Sequence, residues 1–401
     1  MPFLDVQSIL LLDGGFGTTI EDDFKKDLAG SPLWSSAFIQ KDPNTVLGVH
    51  KAFLEAGSNI ILTSTYQCAF ETFSLSGYSE KEAGSLMRKS VQLAVQAKNE
   101  FLNDTRLNAL SQSALLTTNR DIKVVLSLGP YGATLNPAQE FDGFYPPPYG
   151  PRAFTPEQGT LNTNAYSIDE HVSSESSIKA LAAFHLRRLM VFTEPNQDGE
   201  EVNFNPWPHI DAIAFETVPL SREIIAIRSA MSRLNDHLKT IGLPTKPWWV
   251  STVWPDGQFP EERRKERISA ESLHLTPADV ASALIGETTF CDKPLPKPDG
   301  VGINCTHLSD IGVVLTNLRS AIDGLSENIN HRWLVHDESS TSTNPEEKDK
   351  GVDTWSDFLS TIVKREHGTN FWSGVLVGGC CKTGPKHIDA LKKALLRLGF
   401  L

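Results

Sequence analysis

No stretch of this chain is apolar for long enough to cross a bilayer. The opening residues, Met1-Pro2-Phe3-Leu4-Asp5, lack the basic start and small-residue cleavage site of a secretory signal. Together these absences predict a cytoplasmic protein with no membrane partner. Basic stripes are missing as well: 37 Lys and Arg face 49 Asp and Glu, and the formal net charge is -12. Without clustered cations to follow a phosphate backbone, nucleic acid is excluded as the main partner, and a neutral or cationic small molecule is favoured. Cysteine is scarce, with 5 in 401 residues. That excludes a disulfide scaffold, and in a reducing compartment clustered cysteines bind metal or react. Gly14 and Gly15 do not form a dinucleotide fingerprint, and no internal repeat is visible.

What is present is an alternation. Short apolar runs at 9–12, 59–65, 123–128, 211–216, 248–253, 301–304, 332–335 and 375–377 read as strands. Helical stripes at 43–57, 80–102, 178–192, 223–238, 276–285, 311–322, 355–364 and 387–398 follow them. The strands lack a period of two, as strands buried on both faces do. Eight such strands favour an α/β fold with a single (β/α)8 TIM-type barrel and extended loops. A doubly wound open sheet is the alternative. We expect one domain over 1–401. Polar excursions interrupt it near 103–121, 194–208, 240–247, 287–299 and 337–353, and a Pro/Gly/Tyr-rich loop spans 140–156.

In a barrel of this kind all strand ends face one rim, so Asp13, Glu216, Cys305, Cys380 and Cys381 would converge. The Cys305 run, Gly300-Val301-Gly302-Ile303-Asn304-Cys305, and the Cys380-Cys381 run, Gly374 to Cys381, both end a buried strand in thiols. Three thiols suit a soft metal such as zinc and leave a fourth position open. The plainer reading is that cysteines merely fill strand ends. Cys68 and Cys291 fall outside the pattern and read as structural, Cys291 in a surface excursion.

Gly-Ile-Asn-Cys ending at Cys305 and Gly-Gly-Cys-Cys ending at Cys381 resemble the zinc-dependent homocysteine S-methyltransferases. Other blocks follow that family in order: Leu12-Asp13-Gly14-Gly15, Leu33-Trp34-Ser35, then Pro43, Val46 and His50. Ala56-Gly57 precedes Thr63-Ser64-Thr65-Tyr66-Gln67. Gly129-Pro130-Tyr131-Gly132-Ala133 and Phe215-Glu216-Thr217-Val218-Pro219 complete the set. The resemblance covers nearly the whole chain apart from the excursions, and the cysteine blocks are its most specific part.

The resemblance implies a zinc-bearing barrel that methylates homocysteine to methionine. By it, Cys305, Cys380 and Cys381 hold Zn2+ and the homocysteine sulfur is the fourth ligand. Asp13 and Glu216 bind the amino acid's ammonium, and backbone around Gly15 and Phe16 lies near its carboxylate. No side chain is expected to be catalytic beyond the zinc-activated substrate thiolate. The Leu-Trp-Ser and Thr-Tyr-Gln blocks place the chain nearer the branch using S-methylmethionine or S-adenosylmethionine. A betaine-type donor is the enzyme alternative, and a zinc- or thiol-binding protein without methyl transfer is the alternative of another class. A reversible Cys380–Cys381 redox pair ranks below both.

Trp34 and Tyr131 could flank a cationic donor, with packing the plainer role for each. His50 and His185 read as helix or supporting residues, not ligands. Asn304 either orients the site or ends a strand. Two stretches depart from the family: Val335-His336-Asp337-Glu338 and Tyr145-Pro146-Pro147-Pro148-Tyr149. Both are expected at the pocket rim, where the donor would be chosen.

Overall fold

The computed structural model describes residues 3, 5, 7–104, 121–167, 171–194, 204–263, 273–325, 333–338 and 345–401. The strands are β1 (Ser8–Leu11), β2 (Ile60–Leu62), β3 (Lys123–Leu128), β4 (Ala212–Val218), β5 (Trp248–Val253), a small hairpin of β6 (Thr289–Phe290) and β7 (Lys293–Pro294), β8 (Gly300–Asn304), β9 (Trp333–Glu338) and β10 (Gly374–Gly379). Apart from the hairpin they form one sheet of eight parallel strands in the order β1-β10-β9-β8-β5-β4-β3-β2. First and last strand in sequence are therefore neighbours. Between the two ends of that order, Asn59 N–H donates to the Leu11 carbonyl at 2.8 Å, and Leu11 N–H donates to Asn59 Oδ1 at 3.1 Å.

Successive side chains of a strand point to opposite faces, and here both faces are buried. Ile9 and Leu11 join the large core between sheet and helices. Leu12, just past β1, clusters on the other face with Ile60, Val125, Ala212, Ala214, Trp249 and Leu376 from five further strands, and Leu10 of β1 packs against them. That two-sided burial explains the unbroken apolar runs. The long helices run Pro43–Ala56, Glu80–Asn103, His171–Met190, Ser221–Ile241, Pro277–Ile285, Leu308–Asp323, Pro345–Gly368 and Pro385–Arg397. The Pro43–Ala56 helix starts where the Asp42 side chain accepts from Thr45 N–H and stops at Gly57, whose φ of 123° suits glycine. Ser79 and Glu82 cap the Glu80–Asn103 helix reciprocally.

Several expectations need correction. The polar stretch at 337–353 is no single excursion, because β9 runs to Glu338 and a helix begins at Pro345. Consequently Val335 to Glu338 is not a rim turn: His336, Asp337 and Glu338 pair with Val377, Gly378 and Gly379. Charged side chains hide this strand from a hydrophobicity reading. The excursion at 287–299 contains the hairpin, with Cys291 exposed at its turn. Three short helices, Phe16–Asp22, Phe38–Lys41 and Phe70–Leu75, escaped notice because each is too short to show a stripe. Most of the excursions at 103–121 and 194–208 lies outside the described residues.

Candidate active site

A pocket of about 950 Å³ opens at the C-terminal ends of the strands. Asp13 follows β1, Leu62 ends β2, Ser127 lies in β3, Glu216 in β4, Cys305 follows β8, and Cys380 and Cys381 follow β10; all of them line it. The rim expected from sequence is thus observed, and it brings every expected site residue together, Gly15 and Phe16 included.

Close backbone contact makes this assembly possible. Gly15 N–H donates to the Thr383 carbonyl at 2.8 Å, and a side chain at Gly15 would strike the Cys380 carbonyl. Thr383 in turn donates its hydroxyl to the same Cys380 carbonyl at 2.7 Å. The turn after β1 and the thiol turn after β10 are therefore one unit. On the opposite side, Asn304 Oδ1 accepts from Thr217 N–H at 2.8 Å and its amide donates to Thr217 Oγ1 at 2.7 Å. Thr217 and Cys305 both sit in the left-handed region, with φ of 58° and 47°, a conformation that costs energy for a non-glycine residue and persists where neighbours enforce it. The β4–β5 register shifts between Phe215 and Val218, as at a bulge that re-aims a side chain, here that of Glu216. Of the two readings for Asn304, the orienting one fits: it clamps the end of β4 to the end of β8.

The three sulfurs of Cys305, Cys380 and Cys381 lie within 4.8 Å of one another. They form the one such cluster of potential metal ligands among the described residues. Cys305 and Cys380, with Cα atoms 6.2 Å apart, are paired as a disulfide, and Cys381 Sγ lies 3.9 Å from Cys380 Sγ. Tetrahedral zinc with Zn–S of about 2.3 Å needs sulfurs roughly 3.8 Å apart. The set therefore fits a soft metal once its thiols are reduced. Cys381 is exposed, which leaves the cluster an open side.

Facing the thiols are acids. Asp13 is buried; its Oδ2 accepts from Leu62 N–H at 2.8 Å while Oδ1 has no partner. Burial holds its carboxyl well above the ordinary range, the Leu62 N–H opposes this and the charge of Glu216 adds to it. Burial likewise pushes Glu216 up to about 7 against a lowering hydrogen bond from Ser127, and Glu216 Oε1 is unpartnered. Two further acceptors in the same pocket lack partners, Gln67 Oε1 and Glu140 Oε2. A pocket with four unpartnered acceptor oxygens can receive N–H donors.

Sequence reasoning missed Glu140 and the roles of Gln67 and Thr217. Thr217 and Gln67 stood inside quoted blocks with no chemistry assigned, and Glu140 opens a loop whose composition announces only turns. Trp34 lines the pocket, but Tyr131 does not. Its ring stacks on Tyr149 with centroids 3.9 Å apart, and its backbone N–H donates to Glu223 Oε1 at 2.7 Å. Tyr145 OH donates to Glu223 Oε2 at 2.7 Å, and His185 Nε2 lies 3.0 Å from Glu223 Oε1. The Tyr145–Tyr149 stretch thus packs behind the pocket and does not form its rim. His50 is buried against Phe16, where burial lowers it to about 3, so it remains neutral. Burial raises the Cys68 thiol to about 11, consistent with an inert structural residue.

Comparison with known proteins gives the family and the fold. The sequence profile described as homocysteine S-methyltransferase matches residues 10–395. Homocysteine S-methyltransferase 2 of Zea mays is 29% identical over 393 residues, covering 96% of this chain and 89% of that protein. Selenocysteine Se-methyltransferase of Brassica oleracea var. italica is 28% identical, with 96% and 88% covered. Homocysteine S-methyltransferase YbgG of Bacillus subtilis is 26% identical, with 97% and 95% covered. In fold, the chain is similar to the homocysteine methyltransferase MmuM of Escherichia coli in a metallated form, at a TM-score of 0.60 and 22% identity over 96% of both chains. The chain belongs to the homocysteine S-methyltransferase family, and is a methyltransferase enzyme of it.

Proposed function

We propose that this protein transfers a methyl group from a sulfonium donor, S-methylmethionine or S-adenosylmethionine, to the thiolate of homocysteine, giving methionine. One observation carries the reading: three cysteine sulfurs and two carboxylates with unpartnered oxygens share a single pocket at the strand ends. We read the fold as one closed eight-stranded barrel domain. Support comes from the inner cluster drawn from six strands and from the hydrogen bonds between Asn59 and Leu11.

Reduced, Cys305, Cys380 and Cys381 would hold zinc, which supplies a Lewis acid that keeps a coordinated thiol deprotonated near neutral pH. An unassisted thiol, with a pKa of about 8.5, is mostly protonated there, and the thiolate is the nucleophile. Asp13 and Glu216 take the homocysteine ammonium between Oδ1 and Oε1, which gives a partner to the one oxygen of each carboxylate that lacks one. Backbone around Gly15 and Phe16 lies beside the substrate carboxylate. Asn304 and Thr217 fix the strand ends that carry Cys305 and Glu216, so acceptor sulfur and ammonium are held at a set separation. In the transfer, a lone pair of the homocysteine sulfur forms the new S–CH3 bond. The donor's S–CH3 bond breaks, its electrons staying on the departing sulfur. Anion and cation become two neutral thioethers, so walls that exclude water favour the step. Trp34 offers an aromatic face near the donor. Reducing surroundings, such as the cytoplasm, suit three thiols that must stay unoxidised.

The test is methionine formation by zinc-loaded, reduced protein from homocysteine with S-methylmethionine, S-adenosylmethionine or betaine supplied separately. Turnover with a sulfonium supports the reading, and turnover with betaine alone replaces the donor. No turnover with any of them leaves a zinc- or thiol-binding protein.

A further inference from the structure

Glu140 has no place in the reaction so far, yet it lines the pocket with an unpartnered oxygen. It lies close to Tyr66, whose phenol burial holds far above its ordinary range, with Glu140 the largest charge adding to that effect. The local backbone is tightly made. Gln139 N–H donates to the Gly132 carbonyl at 2.9 Å, and a side chain at Gly132 would crowd the backbone nitrogen of Glu140 at 2.8 Å. Behind it, Glu223 ties down Tyr131 and Tyr145. The carboxylate is therefore presented on a braced segment.

Homocysteine brings one ammonium, which satisfies Asp13 and Glu216. Glu140 Oε2 and Gln67 Oε1 then remain as acceptors in search of N–H donors. A sulfonium centre cannot donate a hydrogen bond. Its charge also vanishes in the transfer, so pairing it with a carboxylate would stabilise the ground state more than the transition state and slow the reaction. An ammonium keeps its charge throughout, and binding it carries no such cost. We infer that Glu140 is a specificity-determining residue that accepts hydrogen bonds from the α-ammonium of the methyl donor, selecting amino-acid sulfoniums over donors that carry no N–H. Burial raises the Glu140 carboxyl and Asp142 adds to it. An ammonium beside it would act in the opposite direction, favouring the charged form.

This inference rests on the proposed methyl transfer, and the two can fail separately. The experiment compares S-methylmethionine with dimethylsulfonioacetate, a methyl-donating sulfonium without an amine, in the zinc-loaded wild type and in Glu140→Gln. Expected is a fall of about ten- to hundredfold in the ratio of kcat/KM for S-methylmethionine over dimethylsulfonioacetate, with zinc content and the KM for homocysteine unchanged. A ratio within about twofold of wild type overturns the assignment while leaving the methyl transfer intact. If Glu140→Gln folds poorly, Glu140→Asp is read by the same ratio. If the wild type turns over neither donor, the proposed reaction fails. Equilibrium binding of S-methylmethionine, followed by tryptophan fluorescence since Trp34 lines the pocket, then decides: weaker binding in the variant supports the assignment, and equal or absent binding overturns it.

Discussion

The two halves of the pocket are built differently. The acceptor half stands on strand ends: Asp13 is anchored by Leu62, Glu216 by a register shift, Cys305 by the Asn304–Thr217 clamp, and Cys380 by Thr383. The donor half includes Glu140, carried by a loop after β3 and braced from behind by aromatic rings and Glu223. Elements hydrogen-bonded into a sheet hold a reacting group to fractions of an ångström, whereas a loop can be rebuilt without disturbing the sheet. On the proposed reading, acceptor chemistry is thus tied to the sheet and donor choice to the loop.

If that division holds, damage should grade from the strand ends outward. Cys305→Ala is expected to lose zinc and to cut turnover by at least about a thousandfold, with the sheet still folded. Zinc analysis beside circular dichroism checks it, and normal zinc content would remove Cys305 from the ligand set. Asn304→Ala should cost about ten- to hundredfold in activity or metal affinity, because it frees both strand ends at once. A loss confined to KM for the donor would contradict the clamp.

Glu216→Gln should raise the KM for homocysteine by about ten- to hundredfold while leaving zinc in place. The same carboxyl sets a pH dependence. With its folded-state value near 7, kcat/KM for homocysteine should decline as pH falls below that point, and the variant should lack this inflection. Its effect on stability has the opposite sense. Between the unfolded value of 4.5 and about 7 the folded state holds the extra proton, so the cost of ionising Glu216 grows through that window and is complete above it. The metal-free variant should therefore unfold at a higher temperature than wild type above pH 7, seen by calorimetry. The smallest change expected is Tyr145→Phe, which removes one hydrogen bond to Glu223 and should lower stability by about 1–3 kcal/mol. Denaturant unfolding reads it, and the KM for homocysteine should not move.

The same contrast explains what could be read from the sequence. Strands buried on both faces betray themselves as apolar runs, so β3 and β5 are found at their observed bounds. Residues at their ends inherit a place on the rim. That is why the sequence alone gathers Asp13, Glu216 and the three cysteines. β9 was cut short because His336, Asp337 and Glu338 are polar, and its continuation depends on pairing with β10. Glu140 was invisible for a different reason. Its position follows from a loop held by Glu223, far away in sequence, and composition carries no record of such a brace. Tyr145 was misplaced to the rim on the same account, since a tyrosine in a proline-rich loop gives no sign of facing inward.

Gly15 and Thr383, joined through backbone and hydroxyl, are 368 positions apart. The turn bearing Asp13 meets the turn bearing Cys380 only by closing almost the entire chain into one loop. Contacts of such separation are slow to form, because the entropy of closing the intervening loop is paid before they give any return. An ion held by all three thiols would therefore report that the two ends of the chain have met, as well as serving as a reagent.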